Sequence, residues 1–276
     1  MASNIYAMSK RFFCLILCFC LFTGCKYSQV VYTVPKSPDV HADGSYYKFE
    51  NDTLLVTYSF WGPNGVMSFM VYNKLSIPIY IDWKKSSYID KSKKLNYYIE
   101  KETKEWKSVS ANYINKYPIN SLTVFGPTII TESSGSGTSV KEERVTFIPP
   151  QSYIYRDFYI IFPNQHFICK KESEVQLPIS EGASKTFPAF VSIAEKTNSA
   201  LFFRNFLTYS TTESFEKENY VNNEFFVNKV ITMKQKYFDN GTNSSTDPRG
   251  IGSNFEDHKG FYIPDLGSVD IFPEQK

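Results

Sequence analysis

Hydrophobic and polar side chains alternate with a period of two along the early part of the chain, the pattern of strands that bury one face. The runs 54–60 and 66–72 are rich in β-branched and aromatic residues, and Gly62, Pro63, Asn64 and Gly65 between them supply turn dihedrals, so a hairpin is expected. Across 77–83 the alternation is strict. Ile77, Ile79, Ile81 and Trp83 share one face, while Pro78, Tyr80 and Asp82 share the other, which places Asp82 on the solvated side. Pro78 cannot donate to a ladder and marks a strand start or an edge. Three antiparallel strands spaced by roughly ten residues predict a sandwich.

Further strands are expected at 86–89, 97–99, 122–125, 143–148, 153–162, 175–179, 200–207 and 225–233. Ser210 and Glu213 have the spacing of a capping box, which predicts one short helix over 210–217. The Ser- and Gly-rich stretch 131–139 reads as a flexible tip. Composition strengthens the β reading: the chain has 24 Phe and 20 Tyr among its 276 residues, and aromatics favour pleated surfaces over helices.

The N-terminus has a different grammar. Lys10 and Arg11 precede an apolar run over 12–22, followed by Thr23, Gly24 and Cys25. The apolar run suits the core of an export leader and is too short for a membrane-spanning helix. Phe22-Thr23-Gly24-Cys25 resembles a bacterial lipobox, with Phe where Leu is commoner. That resemblance implies cleavage before Cys25 and acylation of its thiol. Met8 is an alternative start, since residues 1–7 add nothing an export system would use.

Cleavage changes what charge and cysteine mean. Lys10 and Arg11 leave with the leader, which contains no acid, so the mature 252 residues carry 28 basic and 28 acidic groups. A neutral body lacks the basic footprint of a nucleic-acid partner. It also leaves attachment to the membrane to the lipid. Cys14, Cys18 and Cys20 are removed and Cys25 is modified, so Cys169 is the one remaining thiol and no disulfide forms within the mature chain. Cys169 reads as a small buried hydrophobe.

The chain carries no recognisable catalytic constellation. No Gly-x-Ser-x-Gly elbow occurs. The histidines are His41, in a polar stretch, His258, in a Gly- and Asn-rich stretch, and His166. On a strand, His166 and Cys169 would point to opposite faces. The His and Cys clusters of a zinc site and the ligand order of a calcium loop are both missing, so no metal or cofactor is expected. Paired carboxylates remain the route to a second function, an envelope glycan hydrolase, with Asp82 beside Trp83 the most prominent acid. Trp61 at the hairpin turn and Trp106 among charged residues are the candidate ligand-contact aromatics.

The organisation expected is a leader over 1–24, a lipidated N-terminus and extended tether over 25–45, a sandwich over 46–238 and a flexible C-terminal segment over 239–276. Phe261, Tyr262 and Ile263 dock back from that last segment. The body is read as an immunoglobulin-like antiparallel β-sandwich, elaborated or divided near 163–175 into two packed sandwiches.

The lipobox, the aromatic strands and the run from Asn73 to Trp83 are similar to β-rich lipoproteins of the Bacteroidetes type. In that group a short Asp-Thr motif can be O-glycosylated, which implies Thr53 as an acceptor. Surface export there goes with acidic residues after the lipidated cysteine. Lys26-Tyr27-Ser28-Gln29 lacks them, which favours the periplasmic face of the outer membrane. The group brings no known activity. The expectation is therefore a non-enzymatic, lipid-anchored binding or scaffolding module with an envelope protein or glycan as partner.

Overall fold

The computed structural model describes residues 26–98, 143–178, 184–242, 259–267 and 271–272. It is mainly β, built from a ten-stranded and a five-stranded antiparallel sheet packed face to face. The sandwich expectation holds at that level.

The smaller sheet is nearly a meander. Strands β2 (Val40–Asp43), β3 (Tyr46–Glu50), β4 (Leu54–Ser59) and β5 (Val66–Asn73) pair in chain order, and β10 (Tyr153–Ile160) adds to β5. The expected hairpin is β4–β5. Asn64 (φ 57°) and Gly65 (φ 69°) both adopt the left-handed conformation its tip requires. A side chain at Gly65 would also place Cβ 2.9 Å from the Phe261 ring.

The larger sheet is organised around β14 (Asn219–Lys234). On one side lies β1 (Lys26–Pro35), then β15 (Gly260–Gly267). On the other side β12 (Thr186–Ile193) and β13 (Phe202–Ser210) lie end to end along β14. β11 (Glu174–Pro178) flanks β12. β6 (Ile79–Asp82) and β7 (Ser87–Asp90) flank β13, backed in turn by β9 (Val145–Ile148) and β8 (Lys93–Asn96). The third strand of the predicted triplet thus leaves its hairpin and joins the opposite sheet. Asn73, fully buried, makes that crossover: its Nδ2 donates to the carbonyls of Ile77, Ile148 and Pro149, and its Oδ1 accepts from the Leu75 amide.

Aromatic rings fill the space between the sheets. Phe225 from β14 lies 4.9 Å from Phe60, 5.1 Å from Tyr58 and 5.4 Å from Tyr47, between ring centroids. Truncating such a side chain to Ala costs about 3–5 kcal/mol. A buried polar chain runs through the same core. Tyr58 Oη donates to Asn223 Oδ1 at 2.7 Å and accepts from Asn205 Nδ2 at 3.0 Å, while Tyr97 Oη donates to Asn205 Oδ1 at 2.7 Å. These bonds cross the two sheets and restrict how they can slide, because a broken member would leave a desolvated polar atom.

Several boundaries differ from the sequence reading. The stretch expected as a tether contains β1, a central strand whose Ser28, Gln29, Val30 and Val31 are wholly buried. Its polar residues mislead because their partners are internal. Gln29 Nε2 donates to the Phe167 carbonyl (2.6 Å) and Thr232 Oγ1 (3.1 Å), and Gln29 Oε1 accepts from the Phe167 amide (2.9 Å). The C-terminal segment is not wholly flexible either. Phe261 to Ile263 dock as part of β15, hydrogen-bonded to β1. No helix forms at 210–217, where Ser210 Oγ accepts from the amide of Thr212 and Phe215 turns left-handed (φ 53°). The short helix, α1, is Gln235–Thr242, directly after β14.

Candidate functional site

The outer face of the larger sheet divides into two halves. In one, Val30, Phe187, Ala189, Ile231, Met233 and Phe238 form a second apolar cluster beneath α1. Trp61 packs there too, its ring 5.4 Å from Tyr262, because the β4–β5 tip wraps the β15 edge through hydrogen bonds between Tyr262 and both Gly62 and Asn64. Trp61 is thus half-buried against this cluster.

The other half, on β9, β6, β13 and β14, is open in part: Phe147 and Tyr220 are exposed, whereas Phe226 is buried. Strand alternation puts Phe147, Tyr80, Phe206, Tyr220, Phe202 and Phe226 on this face, and the pairing register brings them together in twos. Tyr80 meets Phe147 edge-on at 5.6 Å, Phe206 stacks on Tyr220 at 5.6 Å, and Phe202 stacks on Phe226 at 6.0 Å. Phe147 and Tyr220 are 51% and 55% exposed, far above the usual burial of aromatics in a sheet. Charges border the rings. Lys36 pairs with Glu224 at 2.7 Å and lies over the Phe202 ring at 5.5 Å. Lys85 pairs with Glu218, which accepts from Tyr220 Oη at 2.9 Å. Rings of this kind offer apolar contact area at low entropic cost, with polar groups at the margin. Sequence reasoning missed the whole face, since the rings come from four strands separated along the chain.

The acid that stood out in the sequence is placed differently from the expectation. Asp82 is 1% exposed, not solvated. Its carboxylate accepts from the amides of Lys84 and Lys85 and from Arg144 Nη2 at 2.8 Å, which closes the turn between β6 and β7. Neighbouring Trp83 is buried among Phe69, Tyr97 and Phe158 and donates to Thr146 Oγ1 at 2.7 Å. The Asn73–Trp83 run therefore serves the crossover and the core.

The remaining candidates are dispersed. Thr53 is half-buried in the β3–β4 turn, where Asn51 Oδ1 accepts from the amides of Thr53 and Leu54. Cys169 lies in an irregular segment rather than a strand, with Sγ 2.8 Å from Thr232 Oγ1, and burial raises its thiol pKa. That environment suits an inert thiol. Cys25 and Trp106 lie outside the described residues. Among the described residues no group of three His, Cys, Asp or Glu is arranged to hold a metal, and no helix is long and apolar enough to cross a membrane. No family model, curated protein or solved structure matches the chain.

Proposed function

We propose that this chain is a lipid-anchored, non-enzymatic module of the cell envelope that holds another envelope component against the aromatic face of its larger sheet. The observation that carries the reading is the contrast within one sheet face, where one half is sealed by α1 and the other leaves Phe147 and Tyr220 more than half exposed, each paired with a part-buried ring, Tyr80 and Phe206. The rings span β9 to β14, three strand spacings or about 14 Å, which is broader than a single sugar ring needs. That breadth and the bordering ion pairs favour a protein partner over a glycan. The anchor rests on the leader and lipobox ending at Cys25, and the absence of acids after it favours the periplasmic leaflet of the outer membrane.

Residue-specific photo-crosslinking in intact envelopes tests the binding half of this reading. A photoreactive side chain in place of Tyr220 or Phe147 should give a discrete adduct. The same group in place of Tyr153, which is 52% exposed on β10 of the opposite sheet, should not. Equal labelling from all three positions, or none from the first two, would remove the argument for this face.

A further inference from the structure

The structure points to a second surface, at the opposite end of β14 from the aromatic rings. Lys26 opens β1, and β1 is a fully integrated strand from its third residue onward, with Ser28 wholly buried. Cys25 is one peptide unit before it, about 3.8 Å between Cα atoms. If the acyl chains are on Cys25, no flexible spacer separates them from the sandwich. The end of the sheet where β1 begins must then meet the headgroups.

The composition of that end matches such a position. The register aligns Tyr27 with Lys234 on one side and Leu266 on the other, so the start of β1, the end of β14 and the end of β15 form one rim. α1 starts on this rim with Gln235 and Lys236. Ala189 pairs with Met233, so Lys185, four residues before it on β12's side, belongs to the same rim. Lys26, Lys185, Lys234 and Lys236 lie along it, and Asp265 pairs with Lys26 at 2.9 Å with both groups largely exposed. Tyr27 packs edge-on to Phe272 at 5.7 Å, and Tyr237 stacks on Phe187 at 5.1 Å with Lys236 4.8 Å from its ring. Lysines with amphipathic tyrosines are the residues that settle at a headgroup boundary. The neutral balance of the whole mature chain conceals this local excess of cations.

We propose that this lysine and tyrosine rim docks flat on the anionic headgroups of the bilayer that receives the Cys25 lipid. The inference rests on the lipid-anchor reading and adds an orientation to it. β14 then stands up from the membrane. Phe226 is eight residues from Lys234 along that strand, roughly 26 Å at 3.3 Å per residue, and Tyr220 is six residues farther. The docked rim therefore displays the aromatic face away from the lipid.

The test uses full-length protein purified from bacterial membranes and reconstituted in vesicles of phosphatidylcholine with and without phosphatidylglycerol. Mass spectrometry of the N-terminal peptide first reads the state of Cys25. A fluorophore is then placed by Lys185→Cys on the rim, or by Asp39→Cys beyond the far end of β1; buried Cys169 does not compete for the label. With a quencher on the lipid headgroups, the rim probe should be strongly quenched and the position-39 probe, about 30 Å away along β1, nearly untouched. K234E/K236E should reduce the rim quenching in phosphatidylglycerol vesicles, by roughly fivefold in contact equilibrium for each lysine lost. Acylated Cys25 with equal quenching of both probes overturns the orientation while leaving the anchor intact. An unmodified N-terminus overturns the anchor itself and the orientation with it.

Discussion

The two halves of the larger sheet's outer face share strand β14 yet have opposite fates. Around Ile231 and Met233 the buried side chains are purely apolar, Val30, Ala189, Phe187 and Phe238 among them, and are enclosed beneath α1 and the wrapped hairpin tip. Around Tyr220 and Phe226 they are aromatic, paired and bordered by ions, with Tyr220 more than half exposed. Purely apolar side chains have no favourable contact to make with water and require a cover. An aromatic ring with a hydroxyl or a cation at its margin tolerates a wet surface and still offers a partner apolar area. The difference separates burial that holds the fold together from surface available for recognition.

Mutating both halves should expose that division. Met233→Ala, in the enclosed half, should lose about 3 kcal/mol of unfolding free energy in a urea titration, because the cavity lies under a helix that can only partly collapse onto it. Gly260→Ala should follow at about 2 kcal/mol. This glycine has φ +159°, and a Cβ would fall 1.8 Å from the carbonyl oxygen of Val31. β15 would have to move off β1, so the loss of protection should appear first at the amides of β15 in hydrogen exchange.

The core between the sheets makes a pH prediction of intermediate size. Burial raises the pKa of Tyr58, Tyr88 and Tyr97 above the usual tyrosine value of 10, and raises that of Cys169 above 9. In the unfolded chain these groups ionise first, so the unfolded state gives up protons that the native state retains. Stability from this source is intact below pH 9 and falls as pH rises through 9 to 10 and beyond, by about 1.4 kcal/mol per pH unit for each group. Thermal melts should show this alkaline decline. Tyr97→Phe should make it shallower by one proton, although the variant starts about 1 kcal/mol lower at neutral pH for want of the bond to Asn205.

What was legible in the sequence was whatever local periodicity encodes. The β4–β5 hairpin follows from alternation around an Asn-Gly tip, and its dihedrals agree. β1 was hidden because Ser28, Gln29 and Thr33 look solvated, whereas each is buried against a partner far along the chain: Gln235, Phe167 with Thr232, and Lys259. β12 was hidden by Pro188 within its run. The capping-box spacing at Ser210 failed because the hydroxyl closes a tighter turn. The aromatic face was illegible for a related reason. Phe147, Tyr80, Phe206 and Tyr220 become neighbours only once β9, β6, β13 and β14 are in register. Asp82 and Trp83 drew attention because they are chemically conspicuous, and their conspicuousness serves a turn and a core.

The smallest expected effect is also the most discriminating. Tyr220→Ala removes a ring that is 55% exposed, its stacking on Phe206 at 5.6 Å and its hydroxyl bond to Glu218. If the ring were holding the sheet together, its loss would resemble that of Met233. On a solvated face the stack already competes with water, and the hydroxyl bond is replaced by hydration, so the change in urea stability should stay below about 1 kcal/mol. The variant should nevertheless lose the crosslinked adduct formed from the Phe147 position, three strands and about 14 Å across the same face, since the partner would meet a gap in the middle pair. A destabilisation as large as that of Met233→Ala would make the exposed pair part of the fold's own support and leave the partner without a surface.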